Sequence, residues 1–323
     1  MADIHHQLQL FGVDKVVEDA HAEGANKREI ARIHNAFRTL SNEDDGISFL
    51  HSGFCMAAMP HRKPADDSQP WIRSNGRFHL AIKPGGLIRD GRWHQVGIPY
   101  GAKARLIMVW LQSEGMKNRE VPLNASMSAW MRSLGLQVTG GAKGTIKPVR
   151  EQTLRLSRAE ITMQWDGAAH EGTIIRDQRL IEGLHLWAAD PNEGKWPEKV
   201  VLSSEFHEHL REHAVPLSDM AIASLKGSSL ALDIYVWLAH RLPRLDRIST
   251  ITWKQMQMQF GSDMAHAYNL ASKVRDILPD VLAVYPDARV DVGRHGLIIA
   301  PSKPAVPKAR IFIQRRIGLV EPA

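Results

Sequence analysis

The chain has 323 residues, 44% of them apolar, and a formal net charge of +6; such a chain can bury a core of its own and divides into two or three domains of ordinary size. No apolar run approaches the roughly 18 residues that span a bilayer, and the start, MADIHHQLQLFGVDKVVEDA, has neither a basic n-region nor an apolar h-region. The expectation is a cytoplasmic protein with no membrane partner, and its single cysteine, Cys55, excludes an internal disulfide.

Residues 1–95 contain a basic amphipathic helix in ANKREIARIHNAFRTL, then the strand-like GISFLHSGFCMAAM and RFHLAI around the proline-containing HRKPADDSQPW. They form an N-terminal region to which the sequence assigns no role. A first domain follows over 96–215, where Tyr100-Gly101 leads into ARLIMVWL at residues 104–111. Asn124 is placed to cap a second helix whose apolar Met127, Trp130, Met131 and Leu134 share a face, and Gly135 is placed to end it in the left-handed conformation. Gly140, Gly141 and Gly144 make a loop. Thr145 then caps a third helix, in which Pro148 is tolerated because it lies in the first turn. Ile146, Val149, Thr153 and Leu156 share one arc of that helix, and Lys147, Glu151, Arg155 and Arg158 share the opposite one. AEITMQW and LIEGLHLWA read as strands.

HAVPLSD, residues 213–219, is the expected joint to a second domain over 216–303, which repeats the layout. ALDIYVWL at 231–238 carries the same Ala-x-x-Ile-x-Val-Trp-Leu pattern as 104–111. Ser228 or Ser229 caps this helix, and Thr252 caps WKQMQMQF, which Gly261 stops. Asp263 caps a third helix that ends at Leu278, before Pro279. Its apolar arc is Ala267, Leu270, Ala271, Val274, Ile277 and Leu278, leaving Tyr268, Asn269, Ser272, Lys273, Arg275 and Asp276 outward. ARVDV, GRHG and LIIA read as a hairpin with Arg294 and His295 at its tip. Three helices and a hairpin, twice over, predict an α+β fold of tandem winged-helix domains, each a helix-turn-helix with a β-hairpin wing. Residues 304–323 form a basic, proline-containing tail, expected to be extended or mobile.

The stretch TGGAKGTIKPVREQTLRLSR, residues 139–158, admits two chemistries. A nucleotide-cradling loop needs Gly, four residues and then Gly-Lys-Ser/Thr, whereas Lys143 precedes the last glycine here. A DNA-binding helix needs what the stretch supplies: a glycine turn and the cations Lys143, Lys147, Arg150, Arg155 and Arg158, which displace counterions from phosphates. A solvated amphipathic helix is the plain alternative. Residues 143–158 and 303–323 each net +4, leaving −2 on the remainder, a distribution that suits a polyanionic partner. In the second domain Tyr268, Asn269, Ser272, Lys273 and Arg275 can read base edges. Arg294 and His295 stand where a wing meets sugar-phosphate or minor groove, and each set is also compatible with ordinary surface. HLREH, residues 209–213, fits the zinc-binding His-x-x-Glu-His arrangement but lacks an evident third ligand. Tyr100, with Lys103 nearby, would suit a DNA-nicking tyrosine, but the His-apolar-His metal pair of such enzymes is not found. The expectation is a protein without catalytic residues, metal or cofactor.

Longer blocks carry a resemblance: FLHSGFCMAAMPHR, VGIPYGAKARLIMVWLQSE, REVPLNASMSAWMRSLGLQVTGGAKGTIKPVREQTLRLS, LKGSSLALDIYVWLAHRL, and VLAVYPDARV with GLIIAPSKP. On these the chain resembles the plasmid-encoded RepA family of replication initiators. The resemblance implies winged-helix domains that bind repeated sites in origin duplex DNA, help open it, recruit the host replication initiator and helicase, and often repress their own promoter. Monomers and homodimers would divide those tasks. By position in the third helix of each domain, it carries the site to Lys143–Arg158 and Tyr268–Arg275. A winged-helix transcriptional repressor without initiator activity uses the same chemistry and stands as the alternative.

Overall fold

The computed structural model describes residues 4–41, 45–141, 143–167, 172–184, 199–261, 264, 266–307 and 309–310. The fold is mixed α and β, and its residues gather into two compact units. One comprises 1–47, 216–257 and 264–323, and the other 48–215 with 258–263. Residues 1–95 therefore do not stand apart as the sequence suggests: their first half joins the second repeat and the rest joins the first.

In chain order, α1 (Ile4–Ala22) and α2 (Lys27–Ser41) open the first-named unit. Asn26 starts α2 with a capping box: its side chain accepts from the Arg28 and Glu29 amides, and Glu29 accepts from the Asn26 amide at 2.7 Å. Leu8, Ile33 and Ala36 of this helix pair are buried together with Ala283.

The chain crosses to the other unit along β1 (Ile47–His51) and continues through α3 (Ser52–Met56), β2 (Trp71–Asn75), β3 (Phe78–Lys83), β4 (Gly86–Arg89) and β5 (Arg92–Gln95). Next come α4 (Gly101–Lys117), β6 (Glu120–Pro122), α5 (Met127–Ser133) and α6 (Ile146–Arg158). The unit ends with β7 (Glu160–Trp165), β8 (Ile174–Arg179), β9 (Ile181–Leu184), β10 (Lys199–Leu202) and α7 (Ser204–His213). β11 (Ala214–Ser218) leads back to α8 (Asp219–Leu225), α9 (Ser229–Arg241), β12 (Ser249–Thr252), α10 (Trp253–Phe260), α11 (Ala267–Ala283), β13 (Val290–Val292) and β14 (Gly296–Ile299).

The repeat is visible in strand order. β6, β10 and β9 form one antiparallel sheet and β12, β14 and β13 another, each with the last strand in the middle. The matching helices α4 and α9 lie at the centre of their units. Ala104, Ile107, Val109 and Leu111 are buried in one, and Ala231, Ile234, Val236, Trp237 and Leu238 in the other. AEITMQW does not belong to the first hairpin. As β7 it pairs with β3 and β8 in a four-stranded sheet of order β2-β3-β7-β8, because Ile161 and Met163 bury beside Leu80 and Ile82. β10, from the short KVVL, takes the expected place instead.

Several helix ends differ from expectation. Ser126, not Asn124, caps α5 by accepting from the Ala129 amide, and Gly135 closes it at φ 66°. Ser228 caps α9. Thr252 and Gln255 form a reciprocal capping box at α10. Asp263 lies outside the described residues, and α11 follows His266 and runs through Pro279 to Ala283. Burial of Val281 and Ala283, continued by Val284 and Tyr285, offsets the hydrogen bond that the proline forfeits. The tail is anchored at its start: Val306 is 1% exposed, the Tyr285 hydroxyl donates to the Lys303 carbonyl at 2.7 Å, and Arg310 donates to the Asp45 carbonyl. Its remaining cations Lys308, Arg315 and Arg316 lie outside the described residues. Among the described residues no helix is long and apolar enough to cross a membrane.

Candidate nucleic-acid interface

The glycine loop before α6 is a closed clasp. The Thr145 amide donates to the Thr139 carbonyl at 2.9 Å, and the Thr139 amide to the Thr145 hydroxyl at 3.0 Å. That hydroxyl itself donates to the Gln137 carbonyl at 2.6 Å. Gly141 sits at φ 81°, and a Cβ on Gly144 would lie 2.3 Å from the Thr139 carbonyl oxygen, so both positions require glycine. Thr145 precedes α6 as expected, yet its hydroxyl closes the loop rather than capping the helix. The Gly144 and Thr145 amides and the Thr145 hydroxyl are thus all engaged inside the loop.

Along α6 and the loop before it the five expected cations divide in two. Lys143 and Lys147 are exposed and Arg150 is half-buried, and among the described residues none of the three has an ion-pair partner, while Val149 and Leu156 pack inward. Arg155 does not share the exposed face. Its side chain is 6% exposed, pairs with Asp67 at 2.6 Å and Glu151 at 3.0 Å, and donates to the Ile98 carbonyl. Burial works to raise the Asp67 carboxyl, but the hydrogen bond and charge of Arg155, aided by Lys63, outweigh it and hold the group below its ordinary value. Arg158 is half-buried and donates to the Gly86 carbonyl at 2.8 Å. The loop before α6 and the helix's first half thus offer cations with no ion pair among the described residues, and the second half fastens the helix to its unit. Tyr100 belongs to the same fastening: its hydroxyl donates to Glu151 at 3.2 Å and its amide to Gln152. Burial, then the Glu151 charge, pushes its phenol upward.

On α11, Tyr268, Ser272, Lys273 and Arg275 are exposed and Asn269 is half-buried. The Tyr268 ring stacks on His266 with centroids 5.4 Å apart, and the Arg275 guanidinium lies 4.9 Å from the Trp253 ring centre. Arg294 and His295 are exposed at the β13–β14 tip, with their carbonyls held by the Trp253 indole at 3.2 Å and the Trp253 amide at 3.1 Å. The acid at the far end of this face is answered from within the unit. Arg28 of α2 binds both Asp276 oxygens at 2.8 and 2.7 Å and also Asp280, which Arg32 binds at 2.7 Å. Sequence reasoning misses this neutralisation because the partners lie 248 residues apart. It also passes over the exposed β4–β5 hairpin, although the Asp90-Gly91 tip is a local turn signal.

In HLREH the His209 ring packs against His51 and His213, with centroids 4.6 and 4.2 Å apart. His51 accepts from the Gly53 amide at Nδ1, which places its proton on Nε2, and that nitrogen donates to His209 Nδ1 at 3.0 Å. Burial, then the charge of His213, lowers the His209 pKa to about 4. Among the described residues no group of three His, Cys, Asp or Glu is arranged to hold a metal ion.

Residues 98–255 match a family described as plasmid encoded RepA protein. The matched stretch is similar to that family and spans just under half of the chain. The RepA match takes in the whole of α6, α9 and the first turn of α10, whereas α11 and the β13–β14 hairpin lie beyond it. No curated protein matches the chain in sequence. Two solved structures align with it: domains 2 and 3 of RctB, at 12% identity and TM-score 0.46 over 76% of this chain and 94% of that one. A selenomethionine derivative of the same two domains gives 11% identity and TM-score 0.46, over 76% and 96%.

Proposed function

We propose that the protein is a plasmid replication initiator that acts by binding rather than catalysis, and that each repeat is a winged-helix domain gripping repeated sites in origin duplex DNA. The observation that carries this reading is the position of Lys147 and Arg150 on the third helix of the first repeat, with Lys143 in the loop before it, none ion-paired among the described residues and all inside the stretch that matches the RepA family. Cations placed there displace counterions from phosphates and set a helix against a groove. In the second repeat, Tyr268, Asn269, Ser272, Lys273 and Arg275 supply groove contacts, and Arg294 and His295 at the wing tip meet the backbone. Origin opening, recruitment of the host initiator and helicase, autorepression and a homodimeric form are what the family resemblance adds.

The test is footprinting of the purified protein on DNA flanking its own gene, at near-physiological salt with excess competitor. Regular protection over tandem repeats that also support plasmid replication is the expected result. Protection confined to a promoter, with no replication from that DNA, would replace the initiator with a repressor. Protection that vanishes with competitor would refute site-specific binding.

A further inference from the structure

The β4–β5 hairpin, residues 86–95, is an exposed cationic arm whose root is fixed to the end of α6. Arg158 donates to the Gly86 carbonyl at 2.8 Å, the Val96 amide to the Gly85 carbonyl at 3.0 Å, and Gln95 to the Ser68 carbonyl at 3.0 Å. At the root there is no room for side chains: a Cβ on Gly85 would lie 1.9 Å from the Arg158 carbonyl oxygen. At the tip Asp90 and Gly91 have φ 49° and 70°, both positive as a type I′ turn requires.

Two features of this arm have no use inside the fold. Arg89 and Arg92 are cross-strand partners, both exposed, and neither makes an ion pair among the described residues. Like charges directly opposite repel, so the pair costs stability until an anion lies between or beside them. On the other face Ile88 and Trp93 are also partners, 73% and 64% exposed. The Trp93 ring is seated over Gly86, where a Cβ would lie 2.4 Å from its Cζ2, so the indole is held in place with much of its surface open.

We infer that this hairpin is a second DNA-contacting element, an arm that grips the duplex beside the α6 site. This rests on the proposed function. Arg89 and Arg92 bind phosphates, and Trp93 with Ile88 packs against sugars and base edges. A four-residue ribbon is about 13 Å long, and a two-stranded ribbon of that kind fits the major groove. The charge supports this occupant: two arginines flank the turn, and Asp90 is the one carboxylate of the hairpin.

The test compares the full-length protein with Arg89→Ala/Arg92→Ala and Trp93→Ala variants, by footprinting and by salt titration on both the protected site and a random-sequence duplex. The expected result for the double variant is retained protection over the α6 site, lost protection on one flank, and a log–log salt slope smaller by roughly two. For Trp93→Ala the expected result is several-fold weaker binding at an unchanged slope. An unchanged slope on both duplexes in a double variant of wild-type stability would overturn the arm. A wild-type protein that protects no site sinks the initiator reading instead, and the arm then stands or falls by its slope on random duplex. Two other outcomes overturn it: Trp93→Ala altering the sedimentation of the free protein with DNA binding intact, which marks a self-association surface, or effects confined to single-stranded probes.

Discussion

Arg150 and Arg155 lie on one helix, carry the same charge, and do opposite things. Arg150 has no ion-pair partner among the described residues, while Arg155 is buried between Asp67 and Glu151. Lys147→Ala with Arg150→Ala is expected to lower the salt slope of DNA binding by roughly one for each phosphate left without its cation, with little change in stability. Arg155→Ala is expected to leave the slope alone and to destabilise the fold by about 2 kcal/mol or more, since it strands the Asp67 carboxylate. Denaturant unfolding beside salt titration separates the two, and a slope that falls with Arg155→Ala would return that residue to the interface. The helical wheel could place Arg155 on a face but could not see Asp67, 88 residues away, which turns that face inward. His209 makes a second residue-level prediction. With its pKa at about 4 in the fold against 6.5 in the unfolded chain, the unfolded chain binds the proton first as pH falls. The contribution of neutral His209 is therefore complete above about pH 6.5 and is lost toward pH 4. His240, lowered to about 4 by burial and then by Arg244 and Arg241, adds in the same direction. His209→Asn keeps an acceptor facing His51 Nε2 and is expected to flatten the fall in melting temperature between those pH values. An equally steep fall would show that His209 is not neutral in the fold.

At the scale of elements, what could be read from the sequence depended largely on whether an element's partners lie within it, the β4–β5 hairpin being the exception. The buried positions Leu270, Ala271, Val274, Ile277 and Leu278 of α11 follow from local periodicity, and the burial of α9 from its nearly all-apolar run. So does the left-handed Gly135. The sheet partner of β7, the role of KVVL as β10 and the passage of α11 through Pro279 do not, because each is decided by burial against distant chain. The joining of α2 to α11 is the case with functional weight. The third helix of the second repeat carries Lys273 and Arg275 but also Asp276, and Arg28 offsets that acid. Arg28→Ala is expected to weaken DNA binding several-fold while costing about 0.5 kcal/mol of stability, the scale of an exposed pair. Adding Asp276→Asn is expected to restore the affinity. If the double variant binds no better than Arg28→Ala, the arginine serves only to hold the helices together.

For the whole molecule, duplication supplies two third helices with unequal equipment. α6 presents Lys147 and Arg150, with Lys143 in the loop before it, from within the stretch that matches the RepA family, and α11 presents the more varied Tyr268, Asn269, Ser272, Lys273 and Arg275 beyond it. A cationic helix gives affinity that falls steeply with salt, whereas mixed polar side chains give sequence discrimination. Division of labour between the repeats follows if both rest on one site. Lys147 and Lys273 belong to separate units of the fold, so the free-energy costs of Lys147→Ala and Lys273→Ala are expected to add within about 0.5 kcal/mol. The footprint should lose a different stretch with each variant, and base substitutions in the site should be felt mainly through the α11 set. A silent Lys273→Ala together with silent Asn269→Ala would confine recognition to the first repeat, and the second would then owe its matching layout to something other than reading DNA sequence.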